Sequence, residues 1–156
     1  MPDTDMENSL KDDFQACRKY ALYLLNLRVY TAHNFKKKLL EKEYSLESSE
    51  KVVRECIERG YLNDRLWSES FVRVQKGRKY GQAIIAQKLK IKGIEEGLIA
   101  EVLEKYRDTD GDQENIRTLL ETRYRNRNLE DPREKQKVIA SLLRRGFDYT
   151  SILKSL

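Results

Sequence analysis

The sequence predicts an all-α protein made of three tandem three-helix repeats that form an elongated, curved array. Three observations predict this fold class. Hydrophobic residues make up 39% and charged residues 37% of the 156 residues, with only 7 Gly and 2 Pro, a balance typical of amphipathic helices and poor in β-turn residues. Apolar residues recur at helical spacing along most of the chain. One segment recurs three times, at intervals of 50 and 53 residues.

The recurring segment predicts the middle helix of each repeat and comprises residues 35–44, 85–94 and 138–147. In each copy two apolar residues stand four positions apart on one helix face, and another apolar residue follows five positions later. The position before that last residue is Glu43, Gly93 or Gly146. We therefore expect a left-handed residue just after each middle helix.

The starts of the middle helices carry capping signals. Thr31 and Gly81 stand at equivalent positions before the first two middle helices and are predicted N-caps. In the third repeat Asp131 is the predicted N-cap, Pro132 lies in the first turn and Glu134 completes a capping box.

Apolar stretches on both sides of each middle helix predict the remaining helices. The first helices are marked by Ala21, Leu22, Leu24 and Leu25, by Trp67, Phe71, Val72 and Val74, and by Ile116, Leu119 and Leu120. The last helices are marked by Val52, Val53, Cys56 and Ile57, by Leu98, Ile99, Val102 and Leu103, and by Ile152, Leu153 and Leu156. Trp67 is predicted to be a core anchor. Residues 107–114 are acidic, contain Gly111 and are predicted to be a linker or hinge.

The predicted organisation is a disordered acidic tail over residues 1–12, repeat 1 over 13–62, repeat 2 over 63–107 and repeat 3 over 108–156. Residues 1–13 carry five acidic residues against one lysine, a net charge of −4. Each repeat is too small to bury its own apolar face, so the repeats are expected to stabilise one another.

Positive charge is concentrated in repeat 2. The whole chain has a net charge of +5, and residues 64–93 alone hold eight basic residues against two acidic ones, a local +6. Such a field attracts polyanions, nucleic acid above all, although lysine-rich helix faces also serve solubility. A further cluster joins Arg123, Arg125 and Arg127 to Tyr124. Arginine and tyrosine together suit phosphates and bases, and equally an acidic protein groove. Tyr30 and Tyr80 are predicted to pack between helices.

The sequence offers no set of residues for catalysis, and it predicts no metal site and no cofactor. Cys17 and Cys56 lie far apart with no histidine nearby, and Cys56 falls on an apolar stripe, which predicts a buried side chain. The only histidine, His33, has no Ser, Cys or Asp placed to complete a catalytic set. No signal pattern or membrane-spanning run is present, so we expect a cytoplasmic protein. We also expect a monomer.

Ordered motifs from about residue 21 to residue 156 make the chain resemble the RecX family. The central motif is Gly60, Tyr61, Leu62, Asn63 and Asp64, followed by Phe71, Val72, Gly81, Leu89, Lys92, Gly93 and Ile94. The first repeat resembles the family's opening motif through Ala21, Leu22, Leu25, Arg28, Thr31, Lys38 and Leu39. The end of the chain resembles the family's in Leu142, Leu143, Arg144, Arg145, Gly146, Phe147, Tyr149, Ile152 and Leu153. Asn34 departs from the family's usual glutamate, and residues 106–128 depart most.

The resemblance implies a non-enzymatic regulator that binds the RecA filament on single-stranded DNA, lies in its helical groove and limits its recombinase, ATPase and coprotease activities. Contact with DNA would be direct or through the filament. As a hypothesis, the contacts are made by Lys36, Lys37, Lys38, Arg73, Lys76, Arg78, Lys79, Lys88 and Lys92.

Two other classes of function stay open on the residues alone. One is a helical module that binds nucleic acid without RecA, and the other is an α-solenoid adaptor for a different acidic partner. Binding to bare DNA with a steep salt dependence would indicate the first of these classes.

Overall fold

A computed structural model describes residues 3–156, apart from the side chains of residues 3–5, 7, 8, 10–12 and 109. Over these residues the backbone forms helices and no strand, which confirms the predicted all-α repeat fold. The helices are α1 (Asp3–Leu27), α2 (Ala32–Glu41), α3 (Leu46–Glu58), α4 (Asp64–Gly77), α5 (Gln82–Ile91), α6 (Glu96–Lys105), α7 (Thr109–Glu121), α8 (Pro132–Arg144) and α9 (Tyr149–Ser155). None of these described helices is long and apolar enough to span a membrane.

The helices follow the predicted order, three to each predicted repeat, and the repeat boundaries themselves stay a prediction. The chain forms two compact units whose bounds differ from those of the predicted repeats. Unit 1 comprises Met1–Trp67 with Lys92–Ile94, and unit 2 comprises Ser68–Ile91 with Glu95–Leu156. The predicted acidic tail lies largely outside the described side chains, but α1 begins at Asp3, so the backbone of residues 3–12 is helical. A net negative charge is favoured at a helix N-terminus, because the helix dipole is positive there.

Unit 1 has one apolar core, formed where α1, α2 and α3 pack together. Its most buried members are Cys17, Ala21, Leu24, Tyr30, Phe35, Leu39, Val52, Cys56 and Leu62. Burial of each large side chain contributes about 1.5–3 kcal/mol. The prediction that Cys56 is buried is confirmed, and Cys17 lies in the same core. Burial raises the pKa of the Cys17 thiol to about 11 and also raises that of Cys56, so both thiols stay protonated at neutral pH.

In unit 2 the residues of α7, α8 and α9 and of the turns between them form a second apolar core. Its buried members are Ile116, Leu119, Tyr124, Val138, Leu142, Phe147 and Ile152. Earlier in the same unit, α4 to α6 bury Val72, Ile85, Leu89, Ile99 and Val102. Trp67, predicted as a core anchor, is only partly buried. The fully buried face of α4 consists of Ser68, Glu69, Val72 and Gln75, and Trp67 falls just outside it.

Capping accounts for most helix starts. Thr31 caps α2 as predicted, its hydroxyl oxygen accepting a hydrogen bond from the backbone of Asn34 at 3.2 Å. Asp131 caps α8 with Pro132 in the first turn. The predicted capping box is wrong, because the backbone N–H of Asp131 donates to Asn128 while the Glu134 carboxylate is engaged by Arg127 and Lys137.

The predicted linker at residues 107–114 is also wrong, because α7 begins at Thr109. The Asp108 carboxylate caps this helix by accepting a hydrogen bond from the backbone of Gly111 at 2.9 Å. Asp110 and Asp112 lie in its first turn, where acidic residues complement the helix dipole. The acidic composition that suggested a loop therefore belongs to a helix N-terminus.

The three predicted left-handed residues are confirmed. Glu43 has a φ of 68°, Gly93 of 79° and Gly146 of 92°. Each follows its middle helix within two residues and reverses the chain toward the next helix. Lys79, after α4, is also left-handed, with a φ of 60°.

Candidate functional site

The nine residues proposed for partner contact fall into two groups. Five of them lie in unit 2, namely Arg73, Lys76, Arg78, Lys79 and Lys88. The other four lie in unit 1, namely Lys36, Lys37, Lys38 and Lys92. The neighbours of each side chain decide whether its charge is available to a partner, so each group is described by its contacts.

The turn after α4 carries Arg78 and Lys79, and a third arginine holds this turn in place. The Arg145 guanidinium donates from Nη2 to the Arg78 carbonyl at 2.9 Å and from Nε to the Lys79 carbonyl at 3.1 Å. The side chains of Arg78 and Lys79 have no hydrogen bond or ion pair within the part of the chain that the structure describes. A fixed turn thus presents two cations that are free for an external anion.

Two cations lie over the Tyr80 ring. The guanidinium carbon of Arg145 is 4.7 Å from the Tyr80 ring centroid and the Lys88 ammonium is 3.8 Å from it. Lys88 also donates to the buried Gln75 amide oxygen at 2.9 Å. The Tyr80 ring is partly buried, and the negative charge of its π faces attracts both cations. Lys88 is consequently engaged inside unit 2.

Arg73 and Lys76 both contact Tyr106 at the end of α6. Lys76 Nζ donates to the Tyr106 carbonyl, and Arg73 reaches the Tyr106 hydroxyl at 3.5 Å. Lys76 also faces Asp112, whose pKa burial raises and Lys76 partly lowers. Arg73 stays exposed and can turn toward a partner, whereas Lys76 is committed to internal contacts.

In the unit 1 group, two of the four lysines have internal partners. Lys36 lies 3.0 Å from the Glu50 carboxylate and Lys38 lies 3.4 Å from that of Glu41. Exposed pairs of this kind contribute at most about 1 kcal/mol, so an external anion can replace them. Lys37 and Lys92 have no side-chain partner among the described residues.

A second cationic cluster lies in repeat 3, where the sequence analysis noted arginines without assigning a site to them. A cavity of about 470 Å³ there is lined by Arg123, Tyr124, Arg127, Lys137, Val138, Ser141 and Arg144. The sequence signal was the alternation of arginine with tyrosine and asparagine over residues 123–127. The contributions of Lys137 and Arg144 come from α8, and only the fold brings them to the same cavity.

No group of three or more metal-ligating side chains comes together within the described residues. His33 is exposed, and its side chain lies against the turn at Gly93, where a Cβ would be 2.2 Å from its Cγ. His33 therefore packs against the Gly93 turn within unit 1.

Comparison with known proteins places these features in a family. Residues 63–103 match the second three-helix domain of RecX and residues 110–155 match the third. The chain is 33% identical over 135 residues to the regulatory protein RecX of Trichlorobacter lovleyi, covering 84% of this chain and 87% of that protein. It is 34% identical to RecX of Actinobacillus pleuropneumoniae serotype 5b over 85 residues, which span 56% of that relative's length.

A solved structure agrees with these sequence matches. The crystal structure of RecX from Lactobacillus salivarius superposes with a TM-score of 0.82 at 25% identity, covering 93% of this chain and 95% of that one. Sequence, domain order and fold point to the same group of proteins, which are named as regulatory proteins. The chain belongs to the RecX family.

Proposed function

We propose that this regulatory protein binds the RecA filament assembled on single-stranded DNA and limits its recombinase, ATPase and coprotease activities. Family membership supports a regulatory role, and the residues supply a means of contact. The observation that carries the proposal is the turn at Arg78 and Lys79, whose two cations have no partner among the described side chains while Arg145 fixes its backbone.

The turn suits an anionic surface for two reasons. Guanidinium and ammonium groups bind carboxylates and phosphates with charge-assisted hydrogen bonds, which are stronger than neutral ones. The turn is also held before binding, so less conformational entropy is lost when a partner docks. Lys37 and Lys92 of unit 1 are the further free cations among the nine proposed residues, and Arg73 is an exposed addition to the unit 2 group.

The test measures ATP hydrolysis by RecA on single-stranded DNA at increasing concentrations of the purified chain. We expect inhibition by the natural chain and at least a tenfold higher inhibitory concentration for the R78Q/K79Q variant. The matched control is K19Q/R54Q, which removes two exposed cations of unit 1 that have no side-chain partner among the described residues. The control is expected to inhibit like the natural chain.

If R78Q/K79Q inhibits the ATPase as strongly as the control does, the turn at Arg78 and Lys79 is not part of the interface. No inhibition by the natural chain at any concentration would overturn the proposed function itself. Tight binding to bare single-stranded DNA, with no effect on the ATPase, would instead support the independent nucleic-acid-binding module.

A further inference from the structure

The cavity of repeat 3 brings four cationic side chains to one concave surface. It lies beside the loop between α7 and α8 and has a volume of about 470 Å³. Arg123 and Arg127 come from the loop, and Lys137 and Arg144 come from α8. None of the four belongs to the nine residues assigned to partner contact above.

The charges in this cavity are only partly neutralised. Arg127 and Lys137 share one carboxylate, that of Glu134, at 2.8 and 2.9 Å. Arg123 and Arg144 are exposed and have no ion pair within the described residues. Four positive charges against one negative charge leave an excess of three. Like charges repel one another, so a multivalent anion in the cavity would relieve a cost already present in the free protein.

The floor of the cavity supplies a hydrogen-bond donor at a defined place. The hydroxyl oxygens of Tyr124 and Ser141 are 2.6 Å apart, so one of them donates to the other. Each hydroxyl has a single hydrogen, and the second hydrogen remains for another acceptor. Tyr124 belongs to the buried core of unit 2 and is 7% exposed, which keeps the hydroxyl pair in position.

These features fit a phosphate group better than a carboxylate. Guanidinium forks bind both, and a phosphodiester has two free oxygens and one negative charge, as a carboxylate does. A single strand repeats that charge along its backbone, so cations that do not bind the first phosphate can meet the next one, and more of the excess charge is used. The volume also accommodates a sugar beside the phosphate, and single-stranded nucleic acid offers that combination repeatedly.

We propose that the repeat 3 cavity, lined by Arg123, Arg127, Lys137 and Arg144 over the hydroxyl pair of Tyr124 and Ser141, binds a phosphate group of single-stranded nucleic acid. The binding of an anion follows from the cations and hydroxyls of the cavity alone. The choice of nucleic acid as its source rests on the proposed function. The cavity thus adds a nucleic-acid contact separate from the turn at Arg78 and Lys79.

The experiment measures binding of the full chain to a fluorescein-labelled oligodeoxythymidylate by anisotropy, without RecA. The test variant is R123Q/R144Q, which removes the two unpaired cations of the cavity. The matched control is R125Q/R133Q, which removes two exposed cations of the same repeat that do not line the cavity. We expect at least a tenfold loss of affinity for R123Q/R144Q and less than a threefold loss for the control.

Salt dependence and the hydroxyl pair give two further readouts. The slope of log affinity against log salt concentration should decrease by about 0.7 for R123Q/R144Q, the value for one neutralised phosphate on a single strand. The Y124F/S141A variant removes both hydroxyls and no charge. It should lose affinity about tenfold with an unchanged slope, because a hydrogen bond is lost and no phosphate charge goes unneutralised.

Competition identifies the source of the phosphate. We expect unlabelled oligodeoxythymidylate to displace the probe at concentrations well below those of inorganic phosphate, and a polyglutamate peptide to displace it poorly. Displacement by inorganic phosphate at equal phosphate concentration would overturn nucleic acid as the source. Preferential displacement by polyglutamate, or equal losses for R123Q/R144Q and its control, would overturn the phosphate site.

This outcome is separable from that of the proposed function. A chain that inhibits the RecA ATPase but shows no cavity-dependent oligonucleotide binding would retain the proposed function and lose this inference. A chain that binds the oligonucleotide through the cavity but leaves the ATPase unchanged would retain the phosphate site and lose the proposed function.

Discussion

The turn after α5 and the turn after α8 are alike in backbone, yet each meets its neighbouring helix start through different groups. In unit 1 the turn at Gly93 packs against the start of α2, where the Thr31 hydroxyl donates to the Lys92 carbonyl at 2.9 Å. In unit 2 the turn at Gly146 packs against the start of α5. There the contact is between backbones, as the Gly81 N–H donates to the Arg145 carbonyl at 2.8 Å.

The difference follows from one residue at equivalent positions, Thr31 in repeat 1 and Gly81 in repeat 2. A Cβ on Gly81 would lie 2.3 Å from the carbonyl carbon and oxygen of Gly146, so only glycine allows this approach. Thr31 has a side chain, and its hydroxyl makes the contact. The same contact between a turn and a helix start is therefore made by a backbone N–H where the residue is glycine, and by a side-chain hydroxyl where it is threonine.

The substitution Gly81→Ala should break the unit 2 contact and have the largest effect. The added methyl group meets backbone that cannot rotate away, so we expect a loss of about 3 kcal/mol in the free energy of unfolding. Urea denaturation measures it. The control is Gly77→Ala, where an added Cβ meets nothing within 4 Å and which should stabilise the chain by up to about 1 kcal/mol. If Gly81→Ala lowers the free energy of unfolding by less than about 1 kcal/mol, the backbones at Gly81 and Gly146 are not closely packed.

The substitution Thr31→Ala tests the side-chain version of the contact. It removes the hydroxyl that caps α2 and that binds the Lys92 carbonyl, and we expect a loss of about 2 kcal/mol. Thr31→Ser keeps the hydroxyl and should recover most of this loss in the same urea experiment. If serine is no better than alanine, the buried methyl group of Thr31 is what matters.

The substitution Arg145→Lys should reduce stability by about 1 kcal/mol, because an ammonium cannot serve both carbonyls and the Tyr80 ring with the guanidinium's planar geometry. Its neighbour Arg144 is exposed and has no partner among the described residues, so Arg144→Lys is the matched control with a change within about 0.5 kcal/mol. Thermal unfolding of the two variants gives the comparison. Equal effects would mean that Arg145 does not hold the turn.

The smallest expected effect is the pH dependence of stability. One carboxylate in each unit should change the free energy of unfolding with pH, and the two changes should have opposite signs. Hydrogen bonds from Ser48 and Ser45 lower the pKa of Asp13 in unit 1, so its contribution is present above about pH 4 and is lost as the pH falls through its folded-state pKa. Burial raises the pKa of Asp112 in unit 2. Its contribution is present at low pH and is lost as the pH rises through that raised value.

We therefore expect Asp112→Asn to stabilise the chain at pH 7 and to have little effect near pH 3. Asp13→Asn should destabilise the chain at pH 7, and this effect too should fade toward pH 3. Urea denaturation at both pH values measures the changes. Destabilisation by Asp112→Asn at pH 7 would mean that the attraction of Lys76 outweighs the burial of the carboxylate.

Local signals allowed much of the fold to be predicted from the sequence. The Thr31 cap and the left-handed residues depend only on neighbours along the chain, and these predictions are confirmed. The linker at residues 107–114 was wrong because the same acidic residues suit a loop and a first helical turn, and Asp108 decides between them through a hydrogen bond. The partly buried position of Trp67 depends on which face α4 buries, which local spacing does not define.

The candidate site was less predictable because charge in the sequence does not show which cations have internal partners. Lys88 is held by Gln75 and Tyr80, which are 13 and 8 positions away in the sequence. Arg145 holds the Arg78 carbonyl from 67 positions away. Contacts at such separations come from tertiary packing. The sequence alone therefore does not show which basic side chains have internal partners and which are free to bind another molecule.

Glu43 shows that a left-handed turn after a middle helix does not require glycine. It adopts nearly the same φ as Gly93 with an ordinary side chain, which is exposed. Glycine is thus not compulsory for the backbone conformation itself, and at Gly93 and Gly146 it is demanded by what lies opposite: the His33 side chain in one case and the Ile84 and Gly81 backbone in the other. Among the three turns that follow the middle helices of this chain, glycine therefore occupies the two that are docked and glutamate the one whose side chain is exposed.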